Sequence, residues 1–283
     1  MLDTGKIGDT QHCPPHLLVF DLETDTLLRQ HKFPTTLYRG TSLFITPVVD
    51  VRDPGVCDNT KVYVGDVNGF AIIVYDYQSD VSWRAQNKLT YPHPKYGTFT
   101  IAGESFDLMD GILGMALSPR SGGRLSQKVP LMKVLLNFLG AADFPCLDYF
   151  SDRLLYFHAL ASITENAVSL RTLDNSTAWQ ANVDSLPRSF YEIGSRGTQS
   201  AAQAMDRNGN LFFGLMDPIG IACWDSKRSY SRDNMRIVSQ NDVTLQFASG
   251  MKVITNTKGR EELWVATCRF QVIEPFVSVK WLC

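Results

Sequence analysis

The 283-residue chain lacks most of the features that announce a function. No apolar run reaches the roughly 20 residues that cross a bilayer; the stretch Val129 to Gly140 is broken by Lys133, so no membrane association is expected. The N-terminus, Met1-Leu2-Asp3-Thr4-Gly5, has neither the basic nor the apolar region of a signal peptide. Charge of either sign is thin. The 27 basic and 29 acidic residues are interspersed and leave a formal net charge of -2, so nucleic acid and anionic membranes are poor candidate partners. Six cysteines (Cys13, Cys57, Cys146, Cys223, Cys268 and Cys283) form no CxxC pair, and no His-x-x-x-His accompanies them. That spacing argues against structural zinc, and no metal or cofactor is expected. There is no Ser-His-Asp order, no nucleophile elbow and no Gly-rich phosphate loop, which weakens hydrolase and nucleotide readings.

What is present is an all-β rhythm in a composition, 44% hydrophobic and 20% charged, that suits a globular fold. Strand-like runs such as Lys61 to Asp66, Ala71 to Asp76, Arg153 to Phe157, Asn210 to Gly214 and Glu262 to Ala266 alternate with turn signals such as Asp66-Val67-Asn68-Gly69 and Asp206-Arg207-Asn208-Gly209. One bulky strand type begins near Met1, Val62, Leu154, Leu211 and Leu263, at spacings of 61, 92, 57 and 52. Removing residues 121–152 brings the long second gap into line. That stretch also has helix-like apolar spacing at Val129 to Leu139. It reads as a loop insertion or as translated non-coding sequence, and residues 274–283 break the pattern similarly. A period in the fifties with four strands per unit is the signature of a β-propeller. About four to five blades are expected, over 1–120 and 153–273, with the N-terminal part of the protein, a signal peptide included, absent from this sequence.

Several segments resemble one family closely. Met1 to Gly5 followed by Cys13 to Leu22, the block Phe99 to Phe106 with Asp110 to Pro119, and Arg153 to Ser162 carry the likeness. It continues through Gln199-Ser200, Asp206 to Gly214, Cys223-Trp224-Asp225 and Leu263 to Gln271. Together these resemble the yellow and major royal jelly proteins of insects. The resemblance implies a secreted six-bladed β-propeller with a role near cuticle pigmentation or melanin chemistry. It further implies a small aromatic amine or catechol-derived metabolite as the partner. A dopachrome-converting isomerase and a structural or nutritional protein without ligand stand as alternatives, because fold alone does not choose among them.

The resemblance also nominates residues. A disulfide between Cys13 and Cys57 is implied, with unpaired thiols as the plain alternative. Asn175-Ser176-Thr177 is a glycosylation sequon that gains meaning in a secreted protein. The family's closing Asn-Arg-Phe corresponds to Cys268-Arg269-Phe270, which keeps the aromatic wall at Phe270 and replaces the amide by a weakly bonding thiol at Cys268. Glu104 and Asp107 flank Phe106 and could face a channel together as ligands or acid/base groups. His158 is a candidate general base or a structural histidine. Asp110 before Gly111 reads as a turn residue.

Overall fold

The computed structural model describes residues 1–120 and 153–272 apart from 54 and 56. Both the 121–152 interruption and the 274–283 tail lie outside the described residues. Every strand pairing among the described residues is antiparallel. The three central sheets are four-stranded meanders in strict chain order. Sheet 2 comprises Phe44–Val51, Thr60–Asp66, Ala71–Asp76 and Val81–Ala85. Sheet 3 comprises Ile112–Leu117, Leu154–Ala159, Thr164–Ser169 and Phe190–Ser195. Sheet 4 comprises Gln203–Met205, Asn210–Met216, Ile219–Asp225 and Met235–Gln240. Sheet 1 pairs Leu2–Asp3, His16–Phe20 and Leu27–Lys32, while sheet 5 pairs Phe247–Thr255 with Glu261–Cys268. The recurring strand type of the sequence is thus the second strand of sheets 2 to 5, and Leu2–Asp3 holds the same place relative to the strands that follow it.

Alternation along each strand shows how the sheets stack. Side chains on a strand point to opposite faces by turns. In the second strand of sheet 3, Leu155 and Phe157 join Tyr63, Ile72, Val74 and Trp83 of sheet 2, while Leu154 and Tyr156 join Leu211, Phe213 and Trp224 of sheet 4. In sheet 2, Val62 and Val64 meet Leu17 of sheet 1, and Tyr63 turns the other way. Both faces of the central sheets are therefore covered, and Ala71 to Tyr75 is wholly buried. Such strands favour β-branched and aromatic residues, which pack well on a pleated surface. The first strands of sheets 2, 3, 4 and 5 run beside one another in that order. One end of the stack consequently collects the segments that lead into first strands, and the opposite end collects the turns that leave them.

Two short helices follow the third strand of sheet 3. Ser169 accepts from the Thr172 amide to cap Leu170–Leu173, and Asn175 accepts from the Ala178 amide to cap Ser176–Ala181. The second helix buries Trp179, whose indole N–H donates to the Thr172 carbonyl at 2.8 Å. The insertion point beyond the first strand of sheet 3 is closed. The Ser118 amide donates to the Leu154 carbonyl (2.8 Å) and the Leu154 amide to Ser118 Oγ (2.9 Å). The chain thus departs and returns at neighbouring positions.

Candidate functional site

The leading end of the stack carries an aromatic cluster. Between sheets 2 and 3 the chain makes a separate hairpin, Thr98–Ile101 paired with Glu104–Asp107. Strand alternation gives it a polar face, where Thr98 Oγ1 donates to Asp107 Oδ1 (2.7 Å) and the Thr100 and Ser105 hydroxyls lie 2.8 Å apart. The other face is aromatic, with Phe99 stacked on Phe106 at 5.2 Å and 10°. Phe106 meets Phe270 at 5.5 Å, and Phe270 stacks on Phe247 at 5.0 Å and 21°. Leu108, Leu113 and Cys268 pack against the same cluster. Cys268 stands opposite Phe247 at the end of the sheet 5 ladder. Among the described residues the Gln271 side-chain carbonyl oxygen is buried without a hydrogen-bond partner, although its amide nitrogen donates to Gln246 Oε1 at 2.6 Å.

Asp110 sits between Leu108 and Leu113, both members of this cluster. Burial alone pushes its carboxyl up to about 6. Its place before Gly111 suits a turn residue, and the fold makes it a carboxyl whose charge is disfavoured. A carboxyl perturbed in this way is one of the marks of functional sites. No spacing pattern signals it, because the shift comes from neighbours brought in by the fold.

Buried charge fixes the loops of this end. In sheet 2, Asp66 pairs with Arg84 at 2.7 Å and accepts from Ser42 Oγ (2.6 Å) and the Leu43 and Gly69 amides. Arg84 donates to the Leu37 and Gly69 carbonyls. In sheet 3, Glu165 accepts from Arg196 (3.2 Å) and Gln203 (3.1 Å), and Arg196 donates onward to the Ser162 and Thr164 carbonyls. Gln199 donates to the Tyr96 and Thr98 carbonyls and so pins the aromatic hairpin to the segment entering sheet 4.

The remaining nominated residues divide clearly. His158 is fully buried, with Nε2 donating to the Ala201 carbonyl at 3.1 Å and Nδ1 2.9 Å from Glu165 Oε2. Both ring nitrogens are engaged inside the fold, so His158 is structural. Glu104 and Asp107 do not act together: three positions apart on one strand, they face opposite ways, and Asp107 is held by Thr98. Glu104 shares the Phe106 face and is exposed. Arg269 is exposed beside Phe270.

The expected disulfide is also corrected. Cys13 lies at the base of the Lys6–Ile7/Thr10–Gln11 hairpin, where its amide donates to the Gly5 carbonyl at the leading end. Cys57 is a free, exposed thiol in the turn between the first two strands of sheet 2, at the trailing end. The length of a strand separates them, so the structure does not bring the pair within bonding reach.

The model of the family described as Major royal jelly protein matches residues 1–126 and 146–275. The chain is 32% identical to Major royal jelly protein 9 of Apis mellifera, over 96% of its own length and 58% of that protein. It is 28% identical to Dopaminechrome tautomerase of Drosophila melanogaster, over 96% and 54% of the two chains. It is 31% identical to Protein yellow of Drosophila yakuba, over 96% and 45%. The chain therefore spans about half the length of the curated relatives it matches. With the family's model covering both halves of the described fold, the chain belongs to the major royal jelly protein family.

Proposed function

We propose that this chain is part of a secreted six-bladed β-propeller that binds a small aromatic amine or catechol-derived metabolite at the leading end. The observation that carries the reading is the run of four rings, Phe99, Phe106, Phe270 and Phe247, at 5.0 to 5.5 Å spacing where the first strands begin. Stacked rings at such distances offer an aromatic ligand the same geometry they offer one another. Cys268 gives the weak contact of a thiol, and the unpartnered Gln271 oxygen supplies an acceptor for an ammonium or a catechol hydroxyl. Face-to-face stacking of sheets in chain order, with first strands side by side, supports the propeller reading. Asn175, exposed at its helix cap, uses its oxygen in the cap and leaves its nitrogen to carry a glycan on export.

Dopamine titrated calorimetrically into the protein tests the binding reading. Saturable heat that is lost in Phe270→Ala is expected, and equal heat from both proteins would sink it. A second reading, a tautomerase acting on an oxidised catecholamine, draws on Asp110. Its raised carboxyl could hand a proton to or from the ring, and one relative bears the name of that activity. Dopaminechrome decay followed by absorbance, with Asp110→Asn as the inactive control, separates an enzyme from a binder.

A further inference from the structure

At the trailing end, between sheets 2 and 3, an open cavity of about 640 Å³ is lined by Asp50, Arg52, Arg120, Arg153, Arg171 and Asp174. Three guanidinium groups draw on the single carboxylate of Asp50. Arg52 Nε lies 2.8 Å from it, Arg120 lies 3.8 Å from it, and Arg153 donates to it at close range. Arg52 is also held by Asp174 at 2.7 Å, and Tyr63 donates its hydroxyl proton to the other Asp174 oxygen. Among the described residues Asp174 is thus spent in fixing Arg52, and Asp50 is shared among three cations. Arg120 and Arg153 are further anchored to carbonyls, Arg120 to that of Arg52 and Arg153 to that of Ser118, which sets their planes without neutralising them.

A rigid fork of N–H donors matches a tetrahedral oxyanion, and arginine is the residue suited to two-point contact with one. The cavity volume falls in the range of about 300–1,000 Å³ that holds small organic ligands, so there is room beyond the charged group. We propose that this groove is an oxyanion site for a small organic phosphate or sulfate ester, with Arg120 and Arg153 making the contacts and Asp50 positioning both. Burial and the neighbouring Arg120 charge both disfavour the Arg153 cation as the groove stands, and an anion would relieve that. The site is distinct from the aromatic cluster, since the two lie at opposite ends of the sheets.

The test uses the full chain at low ionic strength. Inorganic phosphate, p-nitrophenyl phosphate and p-nitrophenyl sulfate are titrated calorimetrically against the wild type, Arg120→Gln and Arg120→Glu, with sodium chloride at matched ionic strength as the blank. Arg120 is about half exposed, so neither substitution should disturb folding, and circular dichroism melts verify this. Saturable binding of the esters is expected, about tenfold weaker in Arg120→Gln and absent in Arg120→Glu. Equal affinity for inorganic phosphate would mean that the groove reads the oxyanion alone, and tighter ester binding would mean that it also holds the organic part. Binding that is unchanged in Arg120→Glu, or heats no different from the chloride blank, would overturn the proposal. An intact dopamine isotherm in all three proteins would show that the aromatic end is unaffected.

Discussion

At one end of sheet 3's first strand, Leu113 packs among Phe106, Phe247 and Phe270; beyond the other end, past Leu117, stand Arg120 and Arg153. The strand between is only six residues long. The backbone meander is the same at both ends, and what differs is how the connecting segments are held. At the aromatic end, buried carboxylates such as Asp66 and Glu165 are surrounded by donors that tie loop to strand. Among the described residues lining the arginine end, the carboxylates are outnumbered by the cations around them. Charge that is matched fixes structure, and charge in excess is left to meet something else.

That contrast can be broken most forcefully at Glu165. Glu165→Ala leaves Arg196 buried without its carboxylate, and a loss of about 3–5 kcal/mol in unfolding free energy is expected. Urea denaturation measures it. A loss below 1 kcal/mol would show that the buried staple is not what holds the aromatic end.

Asp110 gives a smaller effect with a defined sign. Burial pushes its carboxyl up to about 6 from the ordinary 3.8, so between those values the folded state retains a proton that the unfolded state has released. Stability is therefore fullest below about pH 4 and falls as pH rises through 6, by about 2 kcal/mol once partial exposure is allowed for. Asp110→Asn should remove that part of the slope in melts taken from pH 4 to 7. An identical slope in the variant would mean that the carboxyl is not perturbed.

Cys268→Asn restores an amide beside Phe270. An affinity gain for dopamine of about 1 kcal/mol, the worth of one hydrogen bond, is expected by calorimetry. No gain would place the amine elsewhere or assign the polar contact to Gln271.

The smallest effect is expected from replacing residues 121–152 with a short turn. Ser118 and Leu154 are already hydrogen-bonded, so the sheet register should survive and dopamine binding, at the far end, should be unchanged. A variant that fails to fold would mean that the excursion is part of the core.

Sheets were legible in the sequence because the second strands repeat a bulky β-branched and aromatic run, from Val62-Tyr63-Val64 to Leu263-Trp264-Val265. The aromatic site was half legible. Phe270 stood out within its segment, but Phe106 was passed over as the residue between two acids, and pairing Glu104 with Asp107 ignored the alternation that sends them to opposite faces. Asp110 and the arginine groove were hidden for a different reason. The Asp110 shift is made by burial, and Arg52, Arg120 and Arg153 are separated by 68 and 33 positions, so neither signal exists until the chain folds. The helices around the Asn175 sequon were missed because they are short and capped by polar side chains, without an extended apolar stripe.

The hydrogen-bonded gate formed by Ser118 and Leu154 makes this hairpin a port. Closing a loop costs only about 0.6 kcal/mol for each doubling of its length, so sequence length and fold stability are nearly decoupled here. A reporter domain with adjacent termini, grafted between residues 120 and 153, would ride on the stacked sheets without perturbing them. Because the graft sits beside the arginine groove and a full strand away from Phe270, its signal would report on one end of the molecule while leaving the aromatic cluster at the other end untouched.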